Sequence, residues 1–533
     1  MTVITLAIDG RSVQVESGAT ILDAARKLGI DVPTLCHRPG YAANTSCMAC
    51  VVRVNGQNRL LPACATPAGQ GMIVESESPQ VRLSRKIALE LLLADHAGDC
   101  QAPCTNVCPA HMDIPSMIRH IEAGRMRDAI VTIKDKIALP AVLGRICPEL
   151  CEKGCRRGLK DQPVSICQLK RHAADVDLAS PEPYLPSCLP DSGKKIAVIG
   201  AGPAGLAAAW YLAQQGHACV LIDQHPLAGG NLRYAIDRAL LPEAVLDAEI
   251  NLIRKLGVQF QPGQRVGQDI SLPDLRRQFD AVLIAVGAID ATGAALLGIE
   301  LLGNGLKIDK QTMMTSLPGV FATGAALTPY RHAIRAVGAG RLAADAITSF
   351  LAGRPIALEY SPFSVRLGVL DIGEKTTFLA GSTDDARVAS FPAGLSSDQA
   401  ITESARCLSC DCGKLQECSL RRWASAYGAE PGHYRMPRRP FHRTDGPRIP
   451  CVSAPAQDAD ETVVYESGKC IACGMCVQIT AKAREPLGLS FIGRGFQVRI
   501  AGALDAPLTE SLRKVAQECV SACPTGALAL RKH

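Results

Sequence analysis

Polar and apolar residues alternate from Thr2 to Val15 on either side of Asp9-Gly10, which predicts a β-hairpin, and Thr20 to Leu28 then reads as a short helix. Leu83 to Asp95 repeats apolar residues through Ile87, Leu91 and Leu92, a helical period. Ile196 to Ile199 is different: an unbroken apolar, β-branched run that predicts a buried parallel strand. A helix from Pro203 to Gln215 and a second strand, Val220 to Ile222, follow it, and a further strand lies within Phe279 to Gly287. Pro181 to Asp191, with four prolines, is a linker. Pro355 to about Gln399 is irregular with strand-like patches, and the proline- and arginine-rich stretch from Pro431 to Pro450 is a second linker, open to a partner contact.

At 533 residues and 47% hydrophobic content the chain is expected to form several domains with real cores. A net charge of +6 and an aromatic content of 4% point to no nucleic-acid or membrane partner. The N-terminus lacks a basic region followed by an apolar core, and the longest apolar stretch, Ala281 to Ile299, carries Asp290 and several glycines. Neither a signal peptide nor a membrane span is expected, so the expected location is cytoplasmic. The 23 cysteines arrive in tight C-x2-C and C-x3-C groups. In a long chain without an export signal that favours metal thiolates over disulfides, and the spacings fit iron-sulfur clusters better than zinc ribbons.

Gly200, Gly202 and Gly205 follow the first buried strand at the G-x-G-x-x-G spacing, and Pro203 and Ala204 open the helix behind them. Gly200 permits the tight turn, Gly202 lets the backbone approach a pyrophosphate, and Gly205 lets helix and strand pack closely. Asp223 ends the second strand about 20 residues on, where an acid hydrogen-bonds a ribose hydroxyl. Strand, glycines, helix, strand and acid in that order predict dinucleotide binding. Gly229-Gly230-Asn231-Leu232-Arg233-Tyr234, then Leu240-Leu241-Pro242, resembles the segment beside FAD in the glutamate synthase small-subunit family, which includes the N-terminal half of dihydropyrimidine dehydrogenase. Leu317 to Gly324 resembles the closing strand and turn of that FAD fold. The resemblance implies FAD, with Gly230, Asn231, Leu232, Arg233 and Gly324 among the contacts. Two departures stand out. Ala325 replaces the acid expected after Gly324, and the roughly 30 residues between Gly287 and Leu317 are too few for the NAD(P)H domain that the family inserts there.

The cysteines fall into sets. Cys36, Cys47, Cys50 and Cys64, within Ser46 to Val52 and Leu61 to Pro67, resemble the N-terminal 2Fe-2S domain of the complex I large peripheral subunit and of iron-only hydrogenases. His96-x3-Cys100, Cys104, Cys108-Pro109, Cys147-Pro148, Cys151 and Cys155 resemble the helical module that carries two 4Fe-4S clusters ahead of FAD in the glutamate synthase and dihydropyrimidine dehydrogenase family. That likeness implies one cluster on Cys100, Cys104 and Cys155 and another on Cys108, Cys147 and Cys151. His96 and Cys167 would complete them, Lys170 standing where the family has its carboxylate or amide. For His96 the alternative is a surface histidine capping a helix end. Cys407, Cys410, Cys412 and Cys418 offer a further cubane or a zinc site. Cys470, Cys473, Cys476 and the distant Cys523-Pro524, with Thr480 where a two-cluster ferredoxin has its fourth cysteine, resemble the single-cluster 4Fe-4S version in complex I's subunit. Cys188 and Cys219 read as spare thiols, and Cys451 and Cys519 have no assignment.

The expected fold is therefore multidomain α/β and α+β. A β-grasp ferredoxin domain covers 1–80, a helical two-cluster domain 81–180, a Rossmann-like FAD domain 190–355, a connecting region with a Cys-rich site 356–450, and a ferredoxin-like domain 451–533. No catalytic triad or substrate-pocket signature is present, so the chemistry lies in FAD, one 2Fe-2S and three to four 4Fe-4S clusters. The resemblance implies an electron-transfer subunit of a soluble oxidoreductase complex. It would relay between a catalytic partner, such as a hydrogenase or formate dehydrogenase subunit, and a ferredoxin-type or nucleotide-reducing acceptor. A free-standing NAD(P)H oxidoreductase, a bifurcating flavin subunit and a redox-sensing scaffold are the other readings.

Overall fold

The structure, a computed structural model, describes residues 2–329, 331–380, 382–389, 393–434, 441–450 and 460–531. Cys451 lies outside them. The chain forms two compact units, and the second interrupts the first in sequence. The first comprises Met1–Gln101, Phe363–Ala380 and Cys410–His533, the second Ala102–Pro362 and Gly381–Ser409.

In the first unit, Val3–Ile8 and Arg11–Glu16 form the expected hairpin, with Gly10 at φ 76° in its turn. They join Ile73–Glu75, Val51–Val54 and Leu60–Pro62 in a five-stranded mixed sheet. The helix Ile21–Lys27 lies on it, started by a capping box between Thr20 and Asp23. Alternation decides the buried face: Leu6, Ile8, Val13 and Val15 meet Ile21, Leu22 and Ala25 in one core. The helix Pro79–Ala94 is fixed by Arg85, whose fully buried guanidinium donates to Val51 O at 3.0 Å, Glu77 Oε1 at 2.8 Å and Tyr427 OH at 2.6 Å. Near the C-terminus, Arg443–Pro450, Asp460–Glu466 and Leu528–Leu530 form an antiparallel sheet. Arg443–Pro450 thus departs from the expected linker. Its register shifts between Asp445 and Arg448, so Gly446 and Pro447 sit at the irregularity, where a missing N–H is tolerated. The hairpin Leu489–Ile492 with Arg499–Gly502 and the helices Met475–Lys482 and Ala516–Ala522 complete this part.

The second unit contains a five-stranded parallel sheet in the order Val320–Ala322, Ala281–Ile284, Lys195–Ile199, Ala218–Asp223, Gln259–Pro262. The helices Pro203–Gln214 and Ala333–Leu351 pack closely: a Cβ on Gly340 would stand 2.2 Å from Ala204 O. Between Gly287 and Leu317 the chain forms the helix Ala291–Leu297 and the two-stranded hairpin Leu301–Leu302 with Gly305–Leu306. The helices Pro103–Val107, Ile114–Glu122, Met126–Lys134, Pro140–Ile146, Leu150–Lys153 and Ile166–Ala179 precede the sheet in sequence. In the stretch expected to be irregular, Ile372–Leu379 in the first unit and Ser397–Ser404 in the second are helices, each opened by a capping box, Asp371 with Glu374 and Ser396 with Gln399. Among the described residues no helix is long and apolar enough to cross a membrane.

Candidate cofactor sites: a dinucleotide cradle and grouped thiols

In the second unit a cavity of about 940 Å³ opens at the ends of the parallel strands. Gly200, Gly202, Pro203, Ala204, Asp223, Gly230, Asn231 and Leu232 line it. Gly200 has φ 105°, and Gly205 must lack a side chain, since a Cβ there would meet Gly200 O at 1.9 Å. A Cβ on Gly202 would meet nothing nearer than Gly230 Cα at 4.0 Å, so that position faces open space. The open space, the bare backbone and the start of the helix Pro203–Gln214 are what a pyrophosphate requires.

Asp223 is held by two backbone donors, Ala201 N on Oδ2 at 2.7 Å and His225 N on Oδ1 at 2.8 Å, and its carboxylate still borders the cavity. Arg233 differs from its expected role. Its buried guanidinium donates to Ala228 O at 2.7 Å and pairs with Asp247, so it shapes the turn that follows Gly230 rather than lining the cavity. Gly324, at φ 71°, turns the chain behind the lining, while its neighbour Ala325 faces it.

Three thiol groups lie in the first unit. Pairing of Val51 with Pro62 brings Cys50 beside Cys64, and Ala63 N donates to Cys50 O at 3.1 Å. Cys36 Sγ is 3.4 Å from Cys47 Sγ. The hydrogen bond between them holds Cys36 below the ordinary thiol range, and the one between Cys50 and Cys64 lowers Cys50. Cys470, Cys473, Cys476 and Cys523 line one small apolar pocket with Tyr465, Met475 and Leu528. Burial pushes the Cys473 thiol up to about 12. Cys519 is buried beside this pocket but is not part of its lining.

The third group departs from the sequence reading. Cys412 N donates to Cys100 O at 3.0 Å, and Val365 N donates to Cys100 Sγ at 3.4 Å. Cys100 packs in the same core as Cys418, whose thiol burial pushes up to about 12, with Cys412 and Cys100 adding to the effect. His96 is half-buried, with Nδ1 shielded and lacking a hydrogen-bond partner. Desolvation and the Lys469 ammonium lower its imidazole to about 4. It is therefore neutral, with a lone pair available to a metal. Cys410 lies in this unit as well.

The remaining thiols lie in the second unit, so Cys104 and Cys155 do not share a unit with Cys100. Cys147 follows the helix Pro140–Ile146, Cys151 sits in Leu150–Lys153 and Cys167 in Ile166–Ala179. Cys167 shares hydrogen bonds with both Cys147 and Cys151, and Cys108 is among the charges acting on Cys147's neighbour Lys170. Cys104 lies in the helix Pro103–Val107, which packs on Leu150–Lys153. The Cys155 thiol accepts a hydrogen bond from Val164 N, and Arg406, preceding Cys407, donates to Gln162 O at 2.7 Å and to Asp161. Cys407 is thereby carried to the loop that supports Cys155. Cys188 is exposed in its linker and Cys219 is buried in the strand Ala218–Asp223.

Among the described residues no three His, Cys, Asp or Glu side chains converge on a single-ion position. A cluster does not require it, since in a cubane each ligand binds a separate iron and in a 2Fe-2S cluster each iron takes only two. Sequence reasoning missed the Cys100–Cys412 neighbourhood and the burial of Lys170. The spacing Cys412-x5-Cys418 carried no signal for a partner so far upstream.

Three family models match. Residues 1–79 match a 2Fe-2S iron-sulfur cluster binding domain, residues 89–181 the dihydropyrimidine dehydrogenase domain II with its 4Fe-4S cluster, and residues 198–259 an NAD(P)-binding Rossmann-like domain. The chain is 40% identical over 207 residues to the NADP(+)-dependent formate dehydrogenase subunit beta of Moorella thermoacetica, covering 35% of this chain and 29% of that protein. It is 42% identical over 192 residues to the NADPH-Fe(3+) oxidoreductase subunit beta of Geobacter sulfurreducens, covering 35% and 28%. Over 213 residues it is 38% identical to the glutamate synthase [NADPH] small chain of Mycobacterium tuberculosis, covering 39% and 43%. The chain thus spans less than half the length of each of these relatives. Segment by segment it matches a 2Fe-2S domain, a 4Fe-4S domain of the dihydropyrimidine dehydrogenase kind and a Rossmann-like dinucleotide-binding fold, and over part of its length it is similar to oxidoreductase subunits that include the glutamate synthase small chain.

Proposed function

We propose that the chain is the electron-relaying FAD and iron-sulfur subunit of an oxidoreductase complex. Its partners would be a catalytic subunit, such as a formate dehydrogenase or hydrogenase, and a ferredoxin-type acceptor. The observation that carries this reading is Ile146, which lines the dinucleotide cavity while the next residue, Cys147, belongs to the thiol group with Cys151 and Cys167. A flavin in the cavity would then lie one residue's reach from a cluster. FAD supplies, when bound, the exchange between a two-electron donor and one-electron carriers. Gly202 and the helix N-terminus receive the pyrophosphate, Asp223 accepts from a ribose hydroxyl, and Gly230 keeps the floor open.

The ligand sets that fit the placement of the thiols differ from those expected at first. Cys36, Cys47, Cys50 and Cys64 hold the 2Fe-2S cluster. His96, Cys100, Cys412 and Cys418 hold one cubane, and Cys470, Cys473, Cys476 and Cys523 another. In the second unit Cys108, Cys147, Cys151 and Cys167 hold a third, with Cys104, Cys155 and Cys407 on a fourth. The zinc alternative for Cys407 to Cys418 is disfavoured by Cys412, whose N–H donates to Cys100 O at 3.0 Å, and by Cys418, which packs in one core with Cys100.

A second reading, direct reduction by NAD(P)H, draws on the NAD(P)-binding description of the model matching residues 198–259. Anaerobic titration of the reconstituted chain separates the two. Flavin and cluster reduction by dithionite but not by NADH or NADPH is the expected result. Rapid flavin bleaching by either nucleotide would establish the second reading instead. Absence of bound flavin and iron after reconstitution would refute both.

A further inference from the structure

Lys170 is buried at 3% exposure in the helix Ile166–Ala179, one turn from Cys167. Its Nζ lies 3.9 Å from Cys167 Sγ, and the groups acting on its charge are the thiols of Cys167, Cys147, Cys151 and Cys108. Other buried lysines have oxygen partners: Lys134 pairs with Asp177 at 2.7 Å, Lys469 with Glu466, and Lys414 donates to Val520 O and Cys523 O. Among the described residues no carboxylate pairs with Lys170. The nearby acid Glu152 is already engaged, accepting from Cys167 N at 3.0 Å and pairing with Arg387 at 2.7 Å.

A buried ammonium without a counter-charge costs several kcal/mol. We propose that Lys170 is the fixed counter-charge of the cluster held by Cys108, Cys147, Cys151 and Cys167, and that it raises this cluster's potential above that of the same site with a neutral side chain. The inference rests on the cluster reading above. A cubane with four thiolate ligands is an anion. One electron entering it, from reduced flavin in the complex or from dithionite in the test, adds one further negative charge, and Lys170 keeps its proton throughout. A positive charge close to the sulfurs stabilises the reduced form more than the oxidised form. The residue therefore positions the potential rather than the iron, and it favours this cluster as the first acceptor beside the dinucleotide cavity.

The test is an anaerobic redox titration, followed by EPR, of the full reconstituted chain and of K170M, K170R and C151A. C151A identifies the signal of this cluster by losing it, and if no signal is lost the cluster assignment itself falls, and the inference with it. K170M is expected to move that one signal to lower potential, with at least a tenfold change in its oxidised-to-reduced ratio at a fixed potential, about 59 mV for one electron. K170R is expected to leave it near the wild-type value. If K170M loses the cluster and K170R keeps it, the counter-charge role stands, because charge alone separates the two. An unmoved signal in K170M, or loss of the cluster in both variants, would overturn the inference and leave Lys170 a packing residue.

Discussion

The backbone N–H of Cys412 donates to the carbonyl oxygen of Cys100 at 3.0 Å, although the whole first stretch of the second unit separates them in sequence. The two cysteines are therefore expected to serve one cluster. Cys100→Ala and Cys412→Ala should abolish the same EPR signal, and Cys104→Ala a different one. Loss of one common signal in C100A and C104A would restore the grouping that sequence resemblance implies.

Two glycines of the cradle should respond differently to the same change. Gly202→Ala adds a methyl group to open space, 4.0 Å from its nearest neighbour. It should leave the melting temperature of the flavin-free chain nearly unchanged while sharply lowering the flavin bound after reconstitution. Gly205→Ala drives a Cβ to 1.9 Å from Gly200 O, so it should destabilise the chain even without flavin, by about 1–3 kcal/mol or more. Thermal melts with and without FAD, together with the flavin absorbance of each variant, check both outcomes.

Glu249 gives the second unit a pH dependence. Burial raises its carboxyl to about 7 from an ordinary 4.5, even though Ala141 N and Val142 N donate to it at 2.7 and 2.9 Å. Between these values the folded chain holds a proton that the unfolded chain releases. Rising pH therefore favours unfolding through this window, by a total on the order of 3 kcal/mol, and the dependence ends above about 7. Glu249→Gln should flatten the melting temperature between about pH 5 and 7 relative to the wild type, and parallel pH profiles would contradict the assignment.

Tyr465 lines the pocket of Cys470, Cys473, Cys476 and Cys523, and its hydroxyl is buried without an oxygen or nitrogen partner. A hydroxyl donating to cluster sulfur stabilises the reduced form. Tyr465→Phe should lower the potential of one 4Fe-4S signal without reducing iron content, as EPR-monitored titration and iron assay would report.

Features set by neighbouring residues were legible in the sequence. The Thr20 helix start, the Asp9-Gly10 turn, the strand-glycine-helix of Ile196 to Gln215 and the Cys470-x2-Cys473-x2-Cys476 spacing each depend on contacts within a few positions. What the sequence did not reveal is non-local. Cys100 O accepts from Cys412 N, a contact that only the course of the chain creates. Arg233 fits a motif by spacing, but its guanidinium is taken up by Asp247 and Ala228 O. The strand Arg443–Pro450 was hidden by its two prolines, of which Pro447 falls where the ladder is already irregular and Pro450 ends the strand.

The first unit opens with Met1–Gln101 and is completed only by Cys410–His533. During synthesis, which proceeds from the N-terminus, Cys100 must wait for its neighbours Cys412 and Cys418 while the ribosome makes the whole of the second unit. The cysteines proposed for the 2Fe-2S cluster, Cys36 to Cys64, are all available early and those proposed for a cubane, Cys470 to Cys523, emerge late, so on this reading iron loading of the nascent chain has a built-in sequence. A scaffold protein delivering clusters would find the site proposed at Cys100 half-made until Cys418 has emerged, which ties its maturation to the later part of translation.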